Sequence, residues 1–378
     1  MIDLTNFCAA PFNEILIDTD GKILPCCEYK YPTNSRGTFS LTQFDELQQT
    51  QMHILRQKML DNVHDTGCTY CKNKERIPGQ LQSRKNINYK HPVIPVSNDY
   101  DIKGIEIRFG NYCNLKCIMC GTYASSSLDE EYTKHKTIFL ANKFHTDNSK
   151  TVRWWEDPGA LNRLQSIVKN VKYIHFAGGE PMMVPELIDI LNTINDDKII
   201  RISFNTNMTK LTDKLLNSLS RFKKGVVNIS ASLEGVGKQN DYVRYGSKWD
   251  TISNAIDQVH ALPNLNLSIS SVLQATSVYS VPGLIEYAKN KKISLKFSEV
   301  YSESGYGTGG YLTINSVTPA DIAILQQYLD TTPNSVLQAW INTYKFNLEK
   351  HIQFRKYTEM IDNIRGTDFK TTFNPIWD

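Results

Sequence analysis

Short apolar runs alternate with longer stretches of helical periodicity from about residue 102 onward. Runs rich in β-branched and aromatic residues predict buried strands, and apolar residues three or four positions apart predict helices between them. The predicted strands are Gly104–Phe109, Lys172–Phe176, Ile200–Asn205, Val226–Ser232, Leu265–Val272 and Ser294–Val300. The predicted helices are Leu161–Val168, Pro185–Asn195, Asp213–Leu219, Ser253–Leu262 and Gly283–Lys289. Repeated alternation of this kind implies parallel strands joined by right-handed crossovers, and therefore an α/β fold.

A different pattern precedes the alternating region. Asn13–Asp18 and Lys22–Leu24 flank the dipeptide Asp20-Gly21, which is typical of a hairpin turn. Phe44–Leu60 has the periodicity of an amphipathic helix. The residues expected on the buried face of this helix are Leu47, Ile54, Leu55 and Met59.

The pattern changes again after the last predicted strand. A glycine-rich loop covers residues 305–310, and helical periodicity returns at Pro319–Leu329 and Val336–Met360. We therefore expect three parts: an N-terminal module with its linker, the alternating region, and a C-terminal helical cap. Their expected bounds are residues 1–95, 96–301 and 302–378.

One connection inside the alternating region is unusually long. It runs from Cys120 to about Asn170 and contains the pair Trp154-Trp155. A connection of this length is commonly functional, as a lid or a docking surface. A tryptophan pair is more typical of core or interdomain packing than of substrate contact.

Charge and composition narrow the classes of partner. The chain has 42 Lys plus Arg and 39 Asp plus Glu, so its net charge of +3 gives no strong signal for nucleic acid. No apolar run approaches the ~20 residues that span a bilayer, and the N-terminus does not resemble a signal peptide. We therefore expect a cytoplasmic protein with reduced thiols. A locally basic stretch predicts either a solvated linker or a patch for an anionic partner; it comprises Lys72, Lys74, Arg76, Arg84, Lys85 and Lys90.

The eight cysteines form two groups. The later group, Cys113, Cys117 and Cys120, has the spacing CxxxCxxC, which lets three thiolates converge on one metal cluster. A [4Fe–4S] cluster usually takes four cysteines, so three ligands leave one iron open to a further ligand. The alternative is a zinc site that borrows a distant histidine.

The earlier group comprises Cys8, Cys26, Cys27, Cys68 and Cys71. A CxxC pair with two more cysteines upstream would supply the four thiolate ligands of a complete metal site. A zinc ribbon is the alternative, because ligand spacing alone does not separate zinc from an iron–sulfur cluster. Cys26 and Cys27 are adjacent, so only one of them is expected to be a ligand.

Arg108-Phe109-Gly110-Asn111-Tyr112, followed by CxxxCxxC, resembles the signature of the radical S-adenosylmethionine (SAM) superfamily. This resemblance implies a partial (β/α)6 TIM-like barrel and a [4Fe–4S] cluster on Cys113, Cys117 and Cys120. It also implies that the open iron binds SAM, and that one-electron reduction yields a 5′-deoxyadenosyl radical that abstracts hydrogen from a substrate. The electron would come from an external reductant of the flavodoxin or ferredoxin type.

The earlier cysteine group resembles the SPASM/twitch modules that bind an auxiliary [4Fe–4S] cluster in many radical SAM enzymes. In such modules a cysteine and a Gly-x-x-x-x-Cys precede a CxxC, which implies Cys8, Cys26, Cys68 and Cys71 as ligands. Cys26 is favoured over Cys27 because it completes Gly21-x-x-x-x-Cys26. Here the module precedes the barrel, whereas in familiar members of the superfamily it follows the barrel.

Three further motifs resemble the parts of the family that bind SAM. Gly178-Gly179-Glu180-Pro181 is similar to the GGEP motif, whose carboxylate contacts the methionyl amine. Thr206-Asn207 is similar to a Thr-Asn-Gly motif that faces the cofactor, but Met208 replaces the glycine, so the local turn is expected to differ. Ser232 and Glu234 are similar to Ser-x-Asp-Gly, with glutamate in place of aspartate.

Ser232 and Glu234 would hydrogen-bond the ribose hydroxyls or the methionyl end of SAM. Arg244 is the expected partner of the methionyl carboxylate, because a guanidinium pairs with a carboxylate through two hydrogen bonds. The alternative for Arg244 is a surface salt bridge.

The resemblance implies an enzyme with an auxiliary cluster that assists electron transfer. SPASM and twitch relatives commonly modify peptides or proteins, so a peptide or protein is the expected substrate. A carbohydrate or a nucleotide is the alternative. A non-catalytic iron–sulfur protein for electron transfer or scaffolding is the alternative from another class.

Overall fold

The computed structural model describes residues 5–31, 40–75, 83–93, 95, 97–142, 144, 152–300 and 310–375. Arg76 and all but the last residue of the predicted glycine-rich loop lie outside these ranges. Within them, no helix combines the length and the apolar character needed to cross a bilayer.

All six predicted strands are present, and each end lies within one residue of its predicted position. The strands of the described residues are β1 (Glu14–Ile17), β2 (Ile23–Leu24), β3 (Gly104–Arg108), β4 (Lys116–Cys117), β5 (Tyr173–Ala177), β6 (Arg201–Thr206), β7 (Val227–Ser232), β8 (Arg244–Tyr245), β9 (Leu265–Leu273) and β10 (Ser294–Glu299).

Helices connect the six long strands in the alternation that the sequence predicts. The helices of the described residues are α1 (Ala10–Asn13), α2 (Phe44–Gln49), α3 (Gln51–Leu60), α4 (Thr69–Lys74), α5 (Ser83–Lys90), α6 (Ser126–Lys134), α7 (Lys136–Ala141), α8 (Pro158–Val168), α9 (Leu187–Thr193), α10 (Asp213–Ser220), α11 (Lys238–Val243), α12 (Trp249–His260), α13 (Ser277–Lys291), α14 (Pro319–Thr331), α15 (Ser335–Asn342), α16 (Leu348–Arg365) and α17 (Phe369–Phe373). The α/β class is therefore confirmed.

Two predicted helices are each split in two. The predicted helix at 44–60 breaks at Thr50, whose hydroxyl donates to the carbonyl oxygen of Glu46 at 2.7 Å. Ile54 is 56% exposed, so its predicted place on the buried face is wrong, whereas Leu47, Leu55 and Met59 are buried. The predicted helix at 336–360 is α15 followed by α16, because the side chain of Asn347 caps the start of α16.

The chain divides into two compact units. Unit 1 comprises residues 1–110 and 152–204, and unit 2 comprises residues 111–151 and 205–378. The three-part division predicted from the sequence, with bounds at residues 95 and 301, stays a prediction.

Unit 1 contains strands in the order β2-β1-β3-β5-β6. The β1–β2 pair is the predicted antiparallel hairpin, and β1, β3, β5 and β6 pair in parallel. The N-terminal segment therefore adds two strands to the sheet that β3 begins. Aromatic stacking fills the core of this unit: the ring of Phe176 lies 5.9 Å from that of Phe109 and 4.8 Å from that of Phe204.

The tryptophan pair belongs to the same core. Trp154 stacks on Phe109 with ring centroids 5.8 Å apart, and Trp155 meets Phe109 edge-on at 5.7 Å. Both tryptophans are buried, as expected for packing residues. The long connection that contains them is largely helical in its described residues, since it includes α6, α7 and α8.

Unit 2 contains β7, β9 and β10 as neighbouring parallel strands, and a separate antiparallel pair of β4 and β8. The C-terminal helices belong to a large apolar cluster that also contains Val243, which directly precedes β8. Ile118, which follows β4, lies in the same cluster as Phe354 and Tyr357 of α16. The C-terminal segment is thus joined to the loop that carries the later cysteine group.

Candidate active site

The loop of Cys113, Cys117 and Cys120 is held by backbone contacts on both sides. Cys117 lies opposite Arg244 in the β4–β8 pair, and the next residue, Ile118, donates its N–H to the carbonyl oxygen of Val243 at 3.0 Å. The N–H of Cys120 donates to the carbonyl oxygen of Cys117 at 3.1 Å. These contacts bring the three cysteines onto one tight loop within unit 2.

The three thiols lie in a largely enclosed environment. Cys113 and Cys117 are buried, and Cys120 is half-buried. Desolvation raises the pKa of the Cys120 thiol to about 12, and it also raises the pKa of Cys117, against the opposing effect of the nearby Arg244. Because the thiolate is the form that ligates metal, binding of iron here would release protons.

Two side chains donate N–H groups to cysteine sulfurs of this loop. Nδ2 of Asn207 lies 3.9 Å from Sγ of Cys113, and Nη1 of Arg244 lies 3.9 Å from Sγ of Cys117. Both donors were predicted as cofactor contacts, and the structure places both beside the cysteine loop.

Asn207 is fixed by a small network of polar side chains. Its Nδ2 also donates to Oδ1 of Asn114 at 3.2 Å, and its Oδ1 accepts from the N–H of Thr209 at 2.9 Å. Nδ2 of Asn114 donates in turn to Oγ1 of Thr209 at 2.9 Å. Asn207 is therefore held in one orientation between the cysteine loop and the turn after β6.

The turn after Asn207 differs less from a glycine turn than expected. Met208 has a φ of +62°, the left-handed conformation that glycine favours, although its side chain is fully buried. The backbone thus keeps the turn that a glycine would allow. The strain of such a position in a residue other than glycine is of order 1–3 kcal/mol, and strain of this kind clusters at functional sites.

Glu234 and Arg244 form a buried ion pair. Oε1 of Glu234 accepts from Nη2 of Arg244 at 2.7 Å, and the side chain of Glu234 is fully buried. Oε2 accepts from Oγ of Ser271 at 3.0 Å and from the N–H of Val272 at 2.8 Å. Burial raises the pKa of the Glu234 carboxyl, and Arg244 works in the opposite direction.

The burial and the hydrogen bonds of this ion pair change the predictions made for Arg244 and for Glu234. Arg244 is only 8% exposed, so the alternative of a surface salt bridge is wrong. Each carboxylate oxygen of Glu234 already accepts hydrogen bonds from the protein, which makes Glu234 the anchor of Arg244. Direct contact of Glu234 with SAM stays a prediction. The predicted partner Ser232 is half-buried and lies opposite Ser270 of β9, at the end of β7.

The Gly178–Pro181 motif lies in unit 1, where it follows β5. Gly178 has a φ of +104°, and a Cβ on it would lie 2.8 Å from the backbone nitrogen of Phe109, so only glycine fits. The N–H of Gly179 donates to the carbonyl oxygen of Gly110 at 3.0 Å. Glu180 is buried and Oε1 caps the short helical turn that begins at Pro181, through the N–H of Met182 at 3.0 Å.

Four cysteines of the earlier group line one cavity in unit 1: Cys8, Cys26, Cys68 and Cys71. They are close enough to interact, since negative charge on Cys68 or Cys71 raises the pKa of Cys8 in addition to the larger effect of burial. Cys27 is exposed instead, and its charged neighbours are Glu106, Glu28 and Arg108. Across the described residues, no three His, Cys, Asp or Glu side chains converge as ligands of one metal ion do.

Local contacts explain how this cavity is formed. Oδ1 of Asp65 accepts from the N–H of Gly67 at 2.9 Å, which starts the short turn that contains Cys68. A Cβ on Gly67 would lie 2.5 Å from the ring of Tyr29, so the turn requires glycine. Arg84 of α5 donates to the carbonyl oxygen of Phe7 at 3.0 Å, next to Cys8.

Within unit 2 the structure brings together five of the predicted site residues: Cys113, Cys117, Asn207, Glu234 and Arg244. The residues that hold them were not predicted from the sequence: Asn114, Thr209 and Ser271. Asn114 lies inside the CxxxCxxC motif, and a polar side chain at that place could have identified it as a candidate site residue. Ser271 is an ordinary strand residue, and nothing in its local sequence marks it.

Residues 107–273 match the model of the Radical SAM superfamily. This match covers the cysteine loop, the Gly178–Pro181 motif and the Glu234–Arg244 pair, and the chain therefore carries a radical SAM domain. The module of Cys8 to Cys71 lies before the matched residues.

Among curated relatives, the chain is 20% identical over 222 residues to a probable GTP 3′,8-cyclase of Methanocaldococcus jannaschii, which is 57% of this chain and 65% of that protein. It is 26% identical over 140 residues to a GTP 3′,8-cyclase of Helicobacter pylori, which is 35% of this chain and 41% of that protein. The chain thus spans less than two thirds of the length of both relatives.

Among solved structures, anSMEcpe with bound AdoMet is similar with a TM-score of 0.42 and 19% identity, covering 62% of each chain. Streptococcus suis SuiB bound to the precursor peptide SuiA has a TM-score of 0.41 and 14% identity, covering 95% of this chain and 78% of that one. The comparison that bears on this chain is the family match over residues 107–273, together with the motifs, and not these structural likenesses.

Proposed function

We propose that this chain is a radical SAM enzyme whose Cys113, Cys117 and Cys120 hold a [4Fe–4S] cluster with one iron open to SAM. The observation that supports it most is the family match around three enclosed thiols on one loop. When bound, cluster and cofactor together supply a one-electron cleavage that produces a carbon radical. The protein residues position the cofactor and exclude water.

The residues around the loop fit this cofactor. Among the described residues, none accepts a hydrogen bond from the buried Nε of Arg244. A carboxylate at this position would satisfy Nε and add charge-assisted hydrogen bonds. Arg244 is therefore proposed to bind the methionyl carboxylate, with Glu234 fixing its orientation. Glu180, Asn207 and Ser232 are proposed as further contacts of SAM.

We further propose that Cys8, Cys26, Cys68 and Cys71 bind an auxiliary [4Fe–4S] cluster. Four cysteines are a complete ligand set for such a cluster, and these four line one cavity. A cluster with four protein ligands has no open iron for substrate, which favours a role in electron transfer.

The double variant Cys68→Ala/Cys71→Ala is expected to lose about one cluster of iron, ~4 Fe per chain, because two cysteines do not retain a cubane. The control is Cys27→Ala, which removes the exposed neighbour of the cavity and is expected to leave the iron content unchanged. Iron and sulfide are measured after anaerobic reconstitution. Equal iron in the double variant and the parent would rule out the auxiliary site.

For the substrate, a peptide or protein is our first proposal, because the earlier cysteine group resembles the SPASM/twitch modules of peptide-modifying enzymes. A nucleotide is the second, since the curated relatives are named GTP 3′,8-cyclases. Both proposals share the radical chemistry and differ in the substrate from which the 5′-deoxyadenosyl radical abstracts hydrogen.

A substrate panel separates these two proposals. The reconstituted protein is incubated anaerobically with dithionite, SAM, and either GTP or peptides encoded next to its gene, and 5′-deoxyadenosine and mass changes are followed. Deuterium from a labelled peptide in 5′-deoxyadenosine would establish peptide modification, and deuterium from labelled GTP would establish the nucleotide. Full cluster content without any 5′-deoxyadenosine would favour a non-catalytic iron–sulfur protein.

A further inference from the structure

Several N–H groups beside the cysteine loop point at cysteine sulfurs. Nδ2 of Asn207 and Nη1 of Arg244 each lie 3.9 Å from a cysteine sulfur, within hydrogen-bond range for this large acceptor. The backbone N–H of Leu115 adds a third donor, 3.5 Å from Sγ of Cys113. Contact with SAM alone does not explain why two side chains donate to two different thiols.

Hydrogen bonds to cysteine sulfur affect the reduction of an iron–sulfur cluster. Reduction adds negative charge, part of which resides on the sulfurs, so an N–H donor stabilises the reduced form more than the oxidised form. A donor of this kind therefore raises the reduction potential. The low polarity around a buried sulfur strengthens the effect.

Both donors are held in place by contacts that do not involve a cofactor. Asn207 is fixed by Asn114 and Thr209, at distances of 2.7 to 3.2 Å. Arg244 is fixed by Glu234, which is itself anchored by two donors on β9. These networks orient the donors toward sulfur before SAM binds.

We propose that Asn207 and Arg244, which donate to the sulfurs of Cys113 and Cys117, are positioning residues that raise the reduction potential of the cluster on that loop. This inference rests on the proposed function, because it requires the cluster. Through their hydrogen bonds to the ligating sulfurs, the two residues would raise the reduction potential whether or not SAM is bound.

The test is a redox titration of the reconstituted full chain in the absence of SAM, followed by electron paramagnetic resonance. The signal of this cluster is identified as the one that changes when SAM is added to a separate sample. Asn207→Leu has similar volume and lacks the donor. Its reduction equilibrium is expected to shift about tenfold toward the oxidised form, which is about 59 mV for one electron.

A second variant and a control complete the design. Asn207→Asp keeps the size of the side chain and places a carboxylate beside the sulfur, so its potential is expected to fall further. Thr209→Val removes the hydroxyl but keeps the backbone N–H that donates to Oδ1 of Asn207, so Asn207 stays oriented toward sulfur and the potential is expected to stay at the wild-type value.

The outcomes separate this inference from the function on which it rests. Wild-type potentials in both Asn207 variants would contradict the inference alone. Loss of the cluster from both variants, with Thr209→Val still loaded, would also contradict it and would give Asn207 a structural role. A wild-type protein without any SAM-sensitive signal would overturn the proposed function as well.

Discussion

Cys113→Ala is expected to reduce cleavage of SAM to background and to lower the iron content by about one cluster, ~4 Fe per chain. The physical reason is that, under the proposed function, CxxxCxxC supplies three ligands and keeps one iron open, so that removing one thiolate leaves too few to hold the cluster. The measurement is 5′-deoxyadenosine formed under dithionite, together with iron per chain.

The same variant separates the two proposed clusters. Cys113→Ala is expected to retain the iron bound by Cys8, Cys26, Cys68 and Cys71, whereas Cys68→Ala/Cys71→Ala is expected to retain the SAM-sensitive cluster. Cys27→Ala serves as the control for both, because it removes an exposed thiol. Cleavage of SAM at the parent rate by Cys113→Ala would show that the chemistry does not depend on this loop.

Arg365→Met is expected to lower the free energy of unfolding by about 3–5 kcal/mol, because the buried carboxylate of Glu131 loses all its hydrogen bonds from Arg365 and keeps, among the described residues, only the longer contact with Lys116. Nη2 of Arg365 lies 2.7 Å from Oε2 of Glu131, and both side chains are at most 2% exposed. This pair joins the end of α16 to α6. It also supports the cysteine loop, since Lys116 lies 3.6 Å from the same carboxylate.

Urea unfolding of the variants measures this effect. Replacing both partners, as Arg365→Met/Glu131→Leu, is expected to recover most of the loss, because no buried charge is then unpaired. The control is Lys356→Met, an exposed position on the same helix, for which we expect a change within about 0.5 kcal/mol. An equal loss of unfolding free energy in Arg365→Met and Lys356→Met would show that the Arg365–Glu131 pair does not stabilise the packing of α16.

The strands of the fold were predictable because apolar and polar residues alternate along them, and the structure buries every second residue of β5, β6 and β7. The breaks in the helices were not predictable from periodicity, because they depend on single polar residues such as Thr50 and Asn347. The side chains of these residues form hydrogen bonds with the backbone that compete with the hydrogen bonds of a continuous helix. Ile54 shows the limit of periodicity: the position fits an apolar stripe, but the break at Thr50 shifts which face of α3 is buried.

Motif spacing marks the candidate ligand cysteines, since cysteines at fixed intervals have few structural uses, and their binding of metal stays a prediction. The residues that hold them were not predictable. Arg365 and Glu131 are 234 residues apart in the chain, and only the packing of α16 brings them together. Glu234 was expected to meet the cofactor, but its partners on β9 become visible only once the strands are paired.

Mössbauer spectroscopy of the iron-enriched protein, with and without SAM, tests the central claim most directly. We predict a [4Fe–4S] cluster in which one iron of the four changes its isomer shift when SAM is added, and loss of this response in Cys113→Ala. A spectrum that SAM does not alter, in protein with full iron content, would contradict the account, because every iron would then already have a protein ligand.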